Sequence, residues 1–262
     1  MTLRESVASN PLWYHTLELA PGVVTPGWFD LRPVADRLPW PDVAGKRCLD
    51  VGTYDGFLAF ELERRGANEV VATDIGGHEE WDWSHELRAR GPAYLAHLAG
   101  PKGNGFEIAR EALGSSVERV LTSVYDLSPE RLGKFDVVVC GSLLLHLRDP
   151  VAALGAIRSV CAGSFLSAEQ VDLRLSAMRP RQPLARVGPG DEVQWWVPNA
   201  AAHERMLEAA GFAVERRSRL YAVPFGPGHP RARSTPRSAA RGALQRAVCG
   251  GTGVPHRALL AR

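Results

Sequence analysis

Lysine is scarce in this chain. Three lysines stand against 28 arginines in 262 residues. The arginine excess reads as a bias of genome composition, because the formal net charge is only +2 and no whole-molecule field gathers nucleic acid. Cysteine is sparse as well. Cys48, Cys140, Cys161 and Cys249 are scattered without a C-x-x-C spacing, which argues against structural zinc and a disulfide framework. Two of them fall inside strand or helix patterns, as buried thiols of a reducing compartment do. No apolar run approaches the ~18 residues that cross a bilayer, and the opening MTLRESVASN lacks a signal peptide's apolar stretch. The expectation is a cytoplasmic protein with no membrane partner. There is no internal repeat.

What is present is a soluble composition, 45% hydrophobic and 23% charged, with aromatics crowded near the start. Trp13, Tyr14, His15, Trp28, Phe29 and Trp40 lie among Pro11, Pro21, Pro26, Pro33, Pro39 and Pro41. So aromatic a segment is expected to pack as a short helical lid, residues 1–44, on a main domain over 45–262. That domain alternates. Strands are predicted at 46–51, 69–74, 118–124, 134–140, 163–169, 212–222 and 258–261. Helices are predicted at 56–66, near 105–114, at 150–161 and at 199–210. The fold class is therefore α/β, a doubly wound, Rossmann-like, mostly parallel seven-stranded sheet. Two insertions, 76–104 and 171–197, emerge at the carboxyl edge of the sheet, where this architecture binds ligands. Residues 226–253, rich in Gly, Pro, Ser and Arg, read as a mobile loop.

The most informative stretch is Cys48-Leu49-Asp50-Val51-Gly52-Thr53-Tyr54-Asp55-Gly56. An apolar strand ends in an acid, and a glycine turn leads into a helix. Gly52 and Gly56 remove the Cβ atoms that would block a small charged ligand, and the helix start offers free N–H groups. A second strand ends in Asp74, 24 residues after Asp50, where such folds hold a ribose diol.

Further on come Gly141-Ser142-Leu143-Leu144-Leu145-His146, then Trp195-Trp196-Val197-Pro198-Asn199, then Met206 to Phe212. Together with CLDVGTYDG and VVATD, this order over roughly 45–222 resembles class I S-adenosylmethionine-dependent methyltransferases. A looser resemblance is to the enzymes that finish 5-carboxymethoxyuridine at the tRNA wobble position. It rests on the Trp13-Tyr14-His15 start, Gly27–Arg32, the Val197-Pro198-Asn199 motif and Pro255–Arg262.

The resemblance implies S-adenosylmethionine as cofactor. Gly52, Thr53 and Gly56 would hold its methionine part, with Asp50 beneath them. Asp74 would accept the ribose hydroxyls, and Ile75 would lie against the adenine. Ser123, Val124 and Tyr125 would meet the adenine edge, where the family more often has an acid at the Ser123 position. Gly141 would sit beside the sulfonium, Arg32 would meet the carboxylate, and Trp28 would wall the pocket with Trp195 and Trp196. For an acceptor that must lose a proton, a general base adds about 10²–10⁴-fold. The candidates are His146, Glu169 and His15. The remaining histidines, His78, His85, His97, His203, His229 and His256, read as surface residues. His78, Glu79, Glu80, Asp82 and His85 lack a recognised ligand spacing, so no metal is expected.

The preferred acceptor is a small molecule methylated at oxygen or nitrogen, as in specialised metabolism. The alternative is a tRNA wobble uridine, for which Arg231, Arg233, Arg237, Arg241 and Arg246 could track phosphates. A third alternative is a cofactor-binding module without turnover. The wobble family transfers a carboxymethyl group, using a lysine in its N-terminal segment and a tyrosine before its histidine. Here Leu145 precedes His146, and residues 11–40 hold no lysine. Ordinary S-adenosylmethionine is thus the expected donor, with Arg32 and Arg257 the remaining cations.

Overall fold

The computed structural model describes residues 1–91, 102–188, 193–230 and 236–262. Its strands are β1 (Glu18–Ala20), β2 (Val23–Val24), β3 (Arg47–Val51), β4 (Glu69–Asp74), β5 (Glu118–Leu121), β6 (Phe135–Gly141), β7 (Cys161–Gln170), β8 (Ala185–Val187), β9 (Trp196–Pro198), β10 (Val214–Arg217), β11 (Tyr221–Val223) and β12 (Val254–Ala261). The main sheet runs in the order β10-β12-β7-β6-β3-β4-β5, and β11 also pairs with β12. Strands β3 to β7 are mutually parallel. Strand β12 runs antiparallel between β7 and the β10/β11 edge. The sheet is an α/β, Rossmann-like, mostly parallel one, as the alternation predicts, with eight strands rather than seven. The difference lies at 212–222, where the predicted single strand is broken. Ser218 Oγ accepts from Ala258 N at 2.9 Å, so a side chain replaces one ladder bond, and the edge divides into β10 and β11.

Side chains alternate across the sheet, and each face builds its own core. Cys48, Val137, Val139 and Leu166 pack on one side with the helices Phe57–Arg64 and Asn104–Leu113. Leu49, Val138, Cys140 and Phe165 pack on the other with Pro150–Val160 and Ala200–Ala209. Local chemistry starts these helices: Asp149 accepts from Ala152 N at 2.9 Å and Asn199 from Ala202 N at 2.8 Å, both N-caps. The chain leaves β3 toward β4 and β5, then returns to β6 on the other side of β3. That reversal opens a crevice at the carboxyl ends of β3 and β6.

The N-terminal segment packs over this crevice but is less helical than expected. It holds one helix (Leu3–Ser9), the β1–β2 hairpin and a 3-10 turn (Ala35–Arg37). Backbone bonds fold it on itself: Thr16 N to Phe29 O at 2.8 Å, Trp28 N to Trp13 O at 3.0 Å and Phe29 N to Tyr14 O at 3.0 Å. Asp55, just past the glycine turn, fastens it to the sheet by accepting from Tyr14 N at 2.6 Å and His15 N at 3.0 Å.

Within 226–253, expected as a mobile loop, the described residues include regular structure. Gly226 N donates to Trp28 O at 2.7 Å and Gly228 N to Gly27 O at 3.1 Å, and Pro236–Cys249 forms a helix. Arg231 and Arg233 lie outside the described residues, as do the side chains of Arg237 and Arg241; Arg246 is exposed.

Candidate functional site

The crevice is a two-lobed cleft. The smaller lobe, about 350 Å³, lies over β4 and β5; its walls include Tyr54, Asp74, Ile75, Trp81, Trp83, Lys102 and Ser123–Tyr125. The larger, about 480 Å³, lies under the N-terminal segment; its walls include Phe29, Leu31, Val34, Leu38, Phe57, Gln170, Tyr221 and His256. Tyr14, His15, Trp28, Gly52, Gly141, Ser142, His146 and Val193 line both, so they form the junction.

The glycine turn is built for close approach. Gly52 has φ +77° and Gly56 φ +91°, where a side chain is strained. A Cβ on Gly52 would come within 2.9 Å of the Leu143 side chain, and one on Gly141 within 2.8 Å of Leu58. Beneath the turn, Asp50 Oδ2 and Thr53 Oγ1 are buried without a hydrogen-bond partner. Burial pushes the Asp50 carboxyl up to about 7. Such unpaired polar atoms are costly unless a ligand satisfies them.

Asp74 ends β4 with both oxygens engaged. Oδ1 accepts from Ile75 N at 2.8 Å and Oδ2 from Tyr54 N at 3.0 Å. Oδ2 also pairs with the Lys102 ammonium, which is buried and lies 4.9 Å from the Tyr54 ring centroid. Lys102 carries no sequence signal of its own, since it sits in an insertion. Ser123 Oγ accepts from Tyr125 N at 3.3 Å, and the Tyr125 hydroxyl donates to Asp82 at 2.6 Å.

The junction is rich in neutral histidine. His146 Nδ1 is bonded to Val193 O. A carbonyl only accepts, so the ring proton sits on Nδ1 and Nε2 keeps its lone pair. Burial holds its pKa below the ordinary histidine value. Trp81 stacks on the ring, centroids 6.2 Å apart. His15 is buried with Nδ1 unpartnered, and burial pushes its pKa down to about 3.

Several residues stand elsewhere than expected. Glu169 does not face the cleft. It is buried, accepting from Leu143 N at 3.3 Å and Leu144 N at 3.2 Å, and burial pushes its carboxyl up to about 8. Its neighbours Ala168 and Gln170 line the larger lobe instead, as strand alternation requires. Arg32 lines neither lobe: its guanidinium is bidentate on Asp30, at 2.9 and 2.8 Å. Arg257 points away too, donating to Ala200 O at 3.3 Å beside Glu204. Trp195 and Trp196 fasten loops rather than wall the cleft, donating to Asp82 O and Arg148 O. His203 and His256 are buried, not on the surface.

Residues 30–216 match a family model described as a methyltransferase domain. The chain belongs to this methyltransferase family. Among curated relatives, the ubiquinone biosynthesis O-methyltransferase of Acinetobacter baylyi is 29% identical over 129 residues, 47% of this chain and 44% of the relative. The chain thus spans about half the length of the curated relatives it matches. Two solved structures share the fold. The N-terminal domain of EvdMO1, determined with S-adenosylhomocysteine and D-fucose present, has a TM-score of 0.53 at 18% identity and covers 99% of this chain and 94% of its own. The 1,6-didemethyltoxoflavin N1-methyltransferase of Burkholderia thailandensis has a TM-score of 0.53 at 16% identity, covering 88% and 77%.

The glycine turn and the smaller lobe beside it fit S-adenosylmethionine, the cofactor expected from the sequence. Asp50 Oδ2 and Thr53 Oγ1, which line the larger lobe where it meets the glycine turn, suit an ammonium group reaching in from the junction. Gly52 lines both lobes, and its positive φ with Leu143 packed where a Cβ would stand keeps that position to glycine. Asp74 closes the turn from the other side, with Ile75, Trp81 and Trp83 offering flat apolar walls.

Proposed function

We propose that this methyltransferase methylates a hydroxyl group of a small, largely apolar acceptor seated in the larger lobe. The observation that carries the proposal is His146, a neutral imidazole in the junction, its Nδ1–H spent on Val193 O and its Nε2 free to take a proton. The larger lobe supports it with aromatic and aliphatic walls, Phe29, Leu31, Val34, Leu38 and Tyr221, the surface such sites use for planar or aliphatic ligands.

The cofactor supplies a methyl group already activated on a sulfonium. The protein's task is to align and deprotonate. Asp74 and Asp50 would fix the cofactor's two ends, by the ribose and the ammonium. Gly141 lines the junction, and the absent Cβ lets Leu58 pack against it. Trp28 and the His15 ring close it from above. As the new carbon–oxygen bond forms, the acceptor's hydroxyl proton passes to His146 Nε2, and the charge lost at sulfur appears on the imidazolium.

The tRNA wobble-uridine reading needs a cation for a carboxylated donor. Arg32 and Arg257 both point away, and Lys102, the single cation among the described lining residues, is tied to Asp74. The ordinary donor and a small acceptor are therefore favoured. The test is turnover of a panel of small phenols and alcohols by the wild type and His146→Asn. The expected loss is about 10²–10⁴-fold in kcat with cofactor affinity nearly intact. Wild-type turnover in the variant would remove His146 from the mechanism.

A further inference from the structure

Ser142 stands where glycine would be easier. Its φ is +54°, in the left-handed region that only glycine enters without a Cβ penalty. An outlier of this kind at a cleft points to a role for the side chain. The Ser142 N–H is spent on Ala168 O at 2.9 Å, and the hydroxyl meets His256 Nε2 at 2.7 Å.

His256 fixes the direction of that hydrogen bond. Its Nδ1 lies 2.8 Å from Val254 O, so Nδ1 carries the proton and Nε2 accepts. Tyr221 stacks on the ring at 5.8 Å and 28°, and β12 pairs His256 opposite Gln170 of β7. The Ser142 proton is thus directed at His256, and the lone pairs of Oγ are left for the cleft. His146 is wired the same way, Nδ1 on a backbone carbonyl and Nε2 accepting. The junction therefore offers two hydrogen-bond acceptors on two separately anchored groups, His146 Nε2 and Ser142 Oγ, on residues that both line the lobe where the acceptor would lie.

We infer that Ser142, held by His256, accepts a hydrogen bond from a second O–H or N–H donor of the methyl acceptor, beside the one that reacts at His146. The inference rests on the larger lobe being the acceptor's seat. It narrows the substrate class to small molecules with two such donors near the reacting atom. A molecule with one donor is held at one point and is free to turn. The backbone conformation at 142 is kept because a hydroxyl is needed there.

The test is binding, so it needs no knowledge of the natural acceptor. Phenol, catechol and resorcinol are titrated into the enzyme loaded with S-adenosylhomocysteine, the two diols placing a second hydroxyl at different distances. One diol should bind about tenfold tighter than phenol, the worth of one well-placed neutral hydrogen bond. In Ser142→Ala that preference should fall to less than about twofold, each titration being run with S-adenosylhomocysteine saturating. Ser142→Gly serves as the second variant, because glycine adopts this backbone freely and keeps the fold while lacking the hydroxyl. His256→Phe should behave like Ser142→Ala, since it removes the acceptor that directs the serine proton. Equal binding of all three probes by the wild type, or a preference that survives in both Ser142 variants, overturns the inference. Neither result touches the His146 turnover test, so the two readings fail separately.

Discussion

Gly27→Ala puts the packing of the N-terminal segment to a direct test. A Cβ on Gly27 would lie 2.2 Å from the backbone carbon of His15 and from Thr16 N, and 2.5 Å from His15 O. These are backbone atoms, and no side chain can move aside. The two segments must part, which endangers three hydrogen bonds: Thr16 N to Phe29 O, Trp28 N to Trp13 O and Phe29 N to Tyr14 O. At about 0.5–1.5 kcal/mol net for each, the loss is about 2–4 kcal/mol. For a chain of this size that lowers Tm by roughly 5–15 °C. Where the backbone tolerates it, a Gly-to-Ala change stabilises by about 0.4–1 kcal/mol instead, so the sign alone is informative. Thermal unfolding followed by circular dichroism reads it. Because His15 and Trp28 line the junction, cofactor affinity should fall in the same variant. A Tm equal to or above that of the wild type would refute the close contact between residues 15–16 and 27.

Three further outcomes are expected. Lys102→Met should bind S-adenosylmethionine more tightly, by severalfold in calorimetry, because the ammonium now occupying Asp74 no longer has to leave; weaker binding would mean that Lys102 helps hold the cofactor. With the cofactor saturating, turnover should be flat above pH 6.5 and fall only in more acid solution, since burial lowers the His146 pKa and protonation removes the base; a saturated rate still climbing between pH 7 and 8 would contradict this. Burial raises Asp50 and Asp55 to about 7 and Glu169 to about 8, so these carboxyls bind protons more tightly folded than unfolded. Their contribution is full below the ordinary carboxyl range and is lost as pH rises through 7–8. The buried histidines, whose pKa values are lowered, act oppositely but only below about 6.5. Tm without cofactor should thus fall from pH 6.5 to 8.5, and a rising Tm there would count against those buried acids.

Much of the sheet was legible because its information is local. Phe135 to Cys140 and Glu69 to Asp74 are short apolar runs bounded by turns, and the glycine turn after Asp50 carries its own backbone requirement. The strand-end acid Asp74 and the histidine after β6 followed from position. What stayed hidden depends on partners distant in sequence or on one-residue parity. Glu169 and Gln170 differ only in which face of β7 they occupy, and a strand end does not reveal its parity. Arg32 found Asp30 two residues away before any ligand. His256 reads as a surface residue in sequence, yet pairing of β12 with β7 buries it against Ser142. The Pro236–Cys249 helix is disguised by arginine, glycine and serine, residues that also build loops. Asp55 sat in plain view beside Gly56, but its task, holding Tyr14 and His15, appears only when the N-terminal segment is in place.

The most direct measurement is calorimetric titration of S-adenosylmethionine into Lys102→Met and into the double variant Lys102→Met/Asp74→Ala. Making the pair together leaves no buried ammonium without its carboxylate. If Asp74 holds the ribose, losing its hydrogen bonds removes about 1.5–3 kcal/mol, and the double variant should bind at least about tenfold more weakly than Lys102→Met with a similar Tm. Equal affinities would contradict the assignment of the smaller lobe to the cofactor.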